Sequence, residues 1–557
     1  MARPLIRPGI MLRVLRFSLP VAVAVLAFAV PLRVGAEVVA FELREFFDDY
    51  YSSGAMAVQG QALLTERVLA EFYARRGYRP AWGDPALVAE LFDLLARSVD
   101  DGLDPDDYNL TRLRALRERA ASSPKAVPER DLELLYTSSL LRFAYHQRFG
   151  KVNPKTLVST WNFGRQLAPG VDAADTMNQI VESGSLREGL AARVPRGPLY
   201  RNIQMALARY RSAAAAGGWE PVPEGVTLTI GMRDERVVSV RRRLAVTGDL
   251  ETGAVSDPEL FDADLESGVR RFQHRHSLSV DGAVGPATVR AMNVSVEERI
   301  DQLRLSLERA RWIMTARDTS VVVVNIAAAE VYVLEEGEMV WQRRAMVGRT
   351  YRQTPVFRGL MTYLEINPTW TVPPGILRAD ILPKVREDPG YLARSNMTLL
   401  DRSGRAVDPY AVDWQALEGM PYIFRQEPGP TNALGLIKFM FPNEHFVFIH
   451  DTPNRELFER AERTFSSGCI RVEDPFSLAA LLLRDPANWD EAAVRAAVET
   501  GETRRVRLAD PWPVYILYWT AQVDDDGVVR FYPDVYQRDV ELLGELDGDV
   551  RIDLPAS

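Results

Sequence analysis

Cys469 is the single cysteine of this 557-residue chain, so it has no internal partner for a disulfide. It stands in FSSGCIRVEDP, Phe465 to Pro475, behind Ser466, Ser467 and Gly468. Such a run suits a tight turn with free backbone N–H groups. Asp474 and Pro475 read as the N-cap and first residue of an apolar helix carrying Phe476, Ala479, Ala480 and Leu483. The thiol therefore sits on a turn between fixed elements, where a nucleophile can be held. It needs a base or a cation beside it to react near neutral pH. His450, nineteen positions upstream, lies at the end of His445 to Asp451. That segment reads as a strand, with Phe446, Phe448 and His450 on one face and His445, a structural residue, on the other. A His450–Cys469 pair predicts a thiol pKa below its free value. Arg471 adds a positive field and is a candidate contact for a substrate carboxylate; a salt bridge to Glu473 is its alternative. The backbone N–H groups of Ser467, Gly468 and Cys469 are candidates to cradle an oxyanion. An isolated buried cysteine is more often a small hydrophobe than a nucleophile. The histidine, the Ser-Ser-Gly turn and the adjacent arginine together argue for chemistry.

The elements that position these residues follow from periodicity. From SVVVVNI to VVRFYPDVY the apolar period is two, giving about eight strands rich in β-branched and aromatic residues. That pattern predicts a β-rich sandwich or barrel-like sheet. Some sixty residues separate the strand ending near Pro373 from the one beginning near Leu434, far beyond the ~4–6 of an ordinary connection. This insert, 374–433, is expected to fold over the mouth of the site as a lid. Upstream, Val38 to about Gly218 reads helical, with i, i+3, i+4 spacing and Gly-Tyr-Arg-Pro and Asp-Pro stops. His146 within it is a surface or core residue. Leu228 to about Val294 forms a separate three-helix unit, with Asp281-Gly282 as a turn and Gly285-Pro286 opening the last helix. His274 and His276, two apart on a helix, face different directions, so no metal pair is expected there.

The residues resemble a known family. His450 and SSGCIR, with nineteen positions from the histidine to the cysteine, are similar to the catalytic signature of the L,D-transpeptidases, the YkuD-type fold. The likeness is to the large periplasmic members of Gram-negative bacteria. Ser467 stands where many members have a second histidine, so that histidine's role does not carry over. FYARRGYRPAW and DGLDPDDY resemble the family's helical scaffold, and VRRFQHRHSLSVDGAVGPATVRAMN resembles a three-helix peptidoglycan-binding domain. VGRTYRQTPVF and INPTWTVP look like segments preceding the active site. The fold expected is multidomain α+β, divided as 1–36 signal peptide, 37–220 helical scaffold, 221–295 peptidoglycan-binding-like domain, 296–318 connecting helix, 319–540 catalytic domain and 541–557 tail. The resemblance implies a cysteine thioester acyl-enzyme with Cys469 as nucleophile, His450 as proton carrier, Ser467 and Gly468 at the oxyanion and Arg471 in support. It implies a tetrapeptide-stem donor that releases D-alanine, a diaminopimelate side-chain amine as acceptor and a 3-3 cross-link as product. The alternatives are an L,D-carboxypeptidase, in which water resolves the thioester, and a non-catalytic wall-binding protein. The expected partners are peptidoglycan stem peptides and glycan strands, with other cell-wall synthesis proteins as further candidates.

Composition fits this reading. With 47% hydrophobic and 26% charged residues, the chain is ordinary globular material. A net charge of −9 does not invite nucleic acid. Neither a metal nor an organic cofactor is expected. Arg3, Arg7, Arg13 and Arg16 precede an apolar run from Phe17 to Val30, followed by Val34-Gly35-Ala36. These read as an export signal with its cleavage site, and the apolar run is short for a membrane span. The expectation is a soluble periplasmic protein, with an uncleaved anchor as the alternative.

Overall fold

The strand-forming runs between Val321 and Leu517 close into an eight-stranded barrel. Its strands are β1 Val321–Asn325, β2 Glu330–Glu335, β3 Glu338–Met346, β4 Phe357–Ile366, β5 Ile437–Met440, β6 Ile449–His450, β7 Ile470–Val472 and β8 Arg504–Leu517. The order around the barrel is β5-β6-β7-β3-β2-β1-β8-β4, returning to β5. Closure leaves no unpaired edge. β6 with β7 and β1 with β8 run parallel, and the other neighbours antiparallel. The pleat then sorts the side chains. Ile437, Phe439, Ile449, Ile470 and Val472 point into the buried core, while Lys438 and Arg471 alternate to the other face.

The computed structural model describes residues 30–552 except 55, 124, 195, 196, 252, 254, 315, 317, 417 and 418. Residues 1–29, most of the expected export signal, lie outside the described residues. Among the described residues, no helix is long and apolar enough to cross a membrane.

Contacts divide the chain into two compact units, one of residues up to 92 with 111–141 and 171–189, the other of 93–110, 142–170 and 190 onward. In the first, helix Val30–Ser53 buries Val39, Leu43 and Phe47 at i, i+4, i+8 spacing. Tyr73 donates to Glu133 at 3.0 Å and shares a 2.6 Å bond with Thr137. Burial pushes the Glu133 carboxyl up.

The second unit holds the barrel and three further cores. Helices α1 Pro198–Ala215 and α5 Val296–Ile313 pack against a hairpin of Ala521–Val523 and Val529–Phe531. On α5, Arg311 and Glu308 form a 2.6 Å ion pair with neither side chain exposed, and Arg311 also donates to Tyr200 at 2.7 Å. The three-helix unit is α2 Arg236–Val246, α3 Ala263–Arg275 and α4 Pro286–Met292 around Val240, Leu265, Phe272 and Met292. Its Asp281-Gly282 turn is fixed by Gln273, which donates to Asp281 and accepts from the Gly282 N–H. Gly282 has φ +75°, and a Cβ there would meet Glu266 Cγ at 2.8 Å. His276 is buried, its Nδ1 2.8 Å from the Phe272 carbonyl and its ring stacked on Phe272. The insert has its own core of Leu377, Val385, Leu399, Trp414 and Phe424. Two of its strands, Ile423–Gln426 and Met397–Leu400, join Trp370–Thr371 from just before the insert in a three-stranded sheet ordered Trp370–Thr371, Ile423–Gln426, Met397–Leu400.

Three strand expectations change. His445–Asp451 shortens to Ile449–His450 because Asn443 captures the backbone before it, accepting from the His445 and Val447 N–H groups and donating to the Phe441 and Val447 carbonyls. Phe446 is turned to φ +54°, so it does not alternate with Phe448 and His450. VVRFYPDVY contributes Val529–Phe531 to the hairpin on α1 and α5 rather than to the barrel. Ile470–Val472 is a barrel strand wedged between the cysteine turn and the next helix; three residues are too few to show a period.

Candidate active site

Register assembles the site. His450 on β6 pairs with Arg471 on parallel β7, and on its other side with Lys438 on antiparallel β5. Cross-strand partners share a face, and so do residues two apart on one strand. Cys469, two before Arg471, therefore lies diagonally beside His450 on the face that carries Lys438 and Arg471. The row continues to Glu365 on β4 and Arg505 on β8. Helix α6, Pro475–Leu483, follows as expected, with Asp474 accepting from the Ser477 N–H and hydroxyl.

The turn before Cys469 is bound on both sides. The Ser466 hydroxyl donates to the Cys469 carbonyl at 2.5 Å and accepts from the Gly468 N–H at 3.1 Å. Gly468 has φ +114°, which only glycine adopts at low cost. Thr354 donates to the Gly468 carbonyl and accepts from the Gly348 N–H, both at 2.9 Å. Tyr536 donates to the Gly348 carbonyl at 2.6 Å and accepts from the Thr354 N–H at 3.1 Å. Arg352 donates to Ser467 Oγ at 2.9 Å and to Asp380 of the insert at 2.6 Å.

His450 is buried, its Nδ1 2.5 Å from the Asp451 carbonyl. That nitrogen carries the proton of the neutral ring, which leaves Nε2 as the basic atom. Burial first, then the charges of Arg471 and Lys438, push the imidazole down to about 3, against the opposing carbonyls of Asp451 and Leu434. Asp451 accepts from the Leu436 N–H and from Arg455. Gly435 is required beside it, because a Cβ there would run into the Asp451 side chain. Burial pushes the Cys469 thiol up, although the Phe448 N–H, Lys438 and Arg471 favour the thiolate. The lowered thiol pKa expected from sequence is thus reversed: desolvation of the charged forms outweighs the neighbouring cations. At rest the pair is a neutral thiol and a neutral imidazole. The thiol sulfur lies 3.8 Å from the Phe446 carbonyl.

The other candidates are placed as follows. Arg471 does not pair with Glu473, whose carboxylate is taken by Arg344 at 2.5 Å. The Gly468 N–H, expected at an oxyanion, is already spent on Ser466. His445 lies edge-on to Phe357 at 4.8 Å. Sequence reasoning missed Lys438, whose ammonium sits 4.2 Å from the Phe448 ring centroid and 4.0 Å from Glu365. Its signal was a lone charge inside the apolar run Leu436 to Phe441. Among the described residues no cluster of His, Cys, Asp and Glu could hold a metal ion.

Residues 319–507 match the family described as "L,D-transpeptidase catalytic domain", 233–292 a "Putative peptidoglycan binding domain" and 67–207 a "Scaffold domain". The chain carries a catalytic domain of the L,D-transpeptidase family together with a peptidoglycan-binding domain and a scaffold domain, and its fold is multidomain α+β. Over 231 residues it is 35% identical to a "Putative L,D-transpeptidase" of Haemophilus influenzae, covering 41% of this chain and 47% of that one. Over 76 residues it is 42% identical to "N-acetylmuramoyl-L-alanine amidase CwlM" of Mycobacterium tuberculosis, covering 12% of this chain and 19% of that one. The chain spans about half, or less, of the length of these relatives. Among solved structures it aligns with an L,D-transpeptidase from Stackebrandtia nassauensis at 13% identity and TM-score 0.21, covering 54% of this chain and 97% of that one. It also aligns with one from Xylanimonas cellulosilytica at 15% and 0.16, covering 54% and 100%.

Proposed function

We propose that this protein is a peptidoglycan L,D-transpeptidase working through a thioester on Cys469. The observation that carries the reading is the shared register of His450, Arg471 and Lys438 beside the turn-held Cys469. His450 Nε2 takes the thiol proton as Sγ attacks the donor carbonyl. The N–H groups of Ser467 and Cys469 hold the oxyanion, the Gly468 N–H being engaged. Collapse breaks the peptide bond, and the proton on His450 passes to the leaving amine of D-alanine. The acceptor amine then attacks the thioester carbonyl, giving its proton to His450. The second collapse breaks the C–S bond and returns that proton to sulfur. The donor is a tetrapeptide stem, the acceptor a diaminopimelate side-chain amine and the product a 3-3 cross-link. Export to the periplasm places the chain beside this substrate, and the insert 374–433 serves as the lid, held to the cysteine turn through Arg352.

Incubating the protein with tetrapeptide-containing muropeptides and weighing the products tests this. A cross-linked dimer, lost in Cys469→Ala, is expected. Tripeptide alone would make the protein a carboxypeptidase, and no product would sink the catalytic reading.

A further inference from the structure

The acyl-transfer chemistry leaves two cations at the nucleophile without a task. Among the described residues the Arg471 side chain has no hydrogen-bond or ion-pair partner, and its Nε is buried. Glu473 is held by Arg344. Lys438 has one acid near it, Glu365 at 4.0 Å, and that carboxylate accepts from Arg505 at 3.0 Å. Both cations are mostly withdrawn from water, and they flank His450 on adjacent strands. Burying charges without counter-ions is costly. Two such cations beside one thiol make a site that an anion would complete.

We propose that Lys438 and Arg471 form a carboxylate cradle that receives the α-carboxylate of the residue leaving the donor. This rests on the acyl-transfer reading above. That carboxylate is joined to the scissile carbonyl through only the amide nitrogen and one Cα, which places it roughly 4 Å away. β5 and β7 flank β6 and so stand ~9.6 Å apart, a gap that the extended Lys438 and Arg471 side chains close from both sides on the carboxylate of a donor held at Cys469. Arg471 offers a planar donor fork and Lys438 a point charge. The cradle thereby selects donors that end in a free acid one residue past the bond that breaks.

The first test needs no turnover. Cys469 is alkylated with anionic iodoacetate and with neutral iodoacetamide, and the rate ratio is compared with that of glutathione. The protein is expected to favour iodoacetate, with Lys438→Gln and Arg471→Gln each lowering the ratio by about tenfold, the scale of one charge-assisted contact. Lys438→Arg keeps the charge and should keep most of the preference, which separates loss of charge from loss of fold. An unchanged ratio in both glutamine variants overturns the cradle. The second test compares a tetrapeptide donor with its C-terminal amide. Lys438→Gln should raise KM for the acid well beyond any change it causes with the amide. Equal handling of acid and amide by the unaltered protein would overturn the assignment to the leaving carboxylate. A shifted alkylation ratio with no donor turnover would sink the acyl-transfer reading and leave the anion site standing.

Discussion

The electrostatics of the empty site make a sharp prediction about how Cys469 reacts with pH. Burial and two neighbouring cations hold the His450 imidazole near 3, and burial holds the thiol above its ordinary value. A thiol held above its ordinary value facing an imidazole near 3 puts the thiolate–imidazolium pair well above the neutral pair. At pH 7 the cysteine is then overwhelmingly in its thiol form. The assay is the rate of modification by iodoacetamide, followed from pH 4 to 10 in the unaltered protein and in His450→Gln. The rate should rise about tenfold per pH unit between 6 and 8, without levelling off in that range. Removing the imidazole should change it by less than about threefold, since a neutral ring adds no charge. Turnover should nevertheless fall by 10² or more in His450→Gln, because the base acts in the transition state. A plateau of alkylation below pH 7 that disappears in His450→Gln would show a resting ion pair and refute the argument.

Three further predictions follow from the same geometry. Gly468→Ala meets only ordinary van der Waals contacts, the nearest atom being the Gln353 carbonyl oxygen at 3.6 Å, so its cost of ~1–3 kcal/mol comes from φ +114°; a melt should show that modest loss, while turnover falls much further as Cys469 is re-aimed. His146, His276 and His450 are all buried with depressed pKa values. Protonation of the unfolded chain then draws the equilibrium as pH falls: stability is full above about 6.5 and declines toward pH 3. His450→Gln should flatten part of that slope in denaturant titrations, by up to roughly 4 kcal/mol at pH 3. Replacing Ala379 to Pro428 by a glycine-rich link removes Asp380 from Arg352 and should raise the ratio of hydrolysis to cross-linking while acylation persists; an unchanged ratio would count against the lid.

The three-helix unit is less separable than its sequence suggests. His276 stacks 5.6 Å from Phe531, and Arg275 reaches Tyr210 at 3.4 Å. The guanidinium of Arg299, on α5, lies 4.5 Å from the centre of the same Phe531 ring. Deleting Leu228 to Val294 would uncover the hairpin at Phe531 as well as removing a binding module. Substitutions on the exposed face of α3 are the cleaner probe of sacculus binding.

Sequence alone determined the class of the molecule and its candidate site residues. A lone cysteine behind Ser-Ser-Gly, a histidine nineteen positions earlier and an Asp-Pro helix start are local signals, and local signals need no knowledge of what packs where. The strand runs likewise announced a β-rich domain, because period two survives wherever one face is buried. What sequence could not decide is which strands become neighbours. Lys438 lies 31 positions before Cys469 and belongs to the site only because β5 pairs with β6. The loss of the Arg471–Glu473 pair depends on Arg344 arriving from β3. The protonation state was also tertiary: the neighbouring cations favour a thiolate, and enclosure of the pair turned the balance to neutral thiol and neutral imidazole. Desolvation depends on everything packed around a group, and no spacing along the chain encodes it.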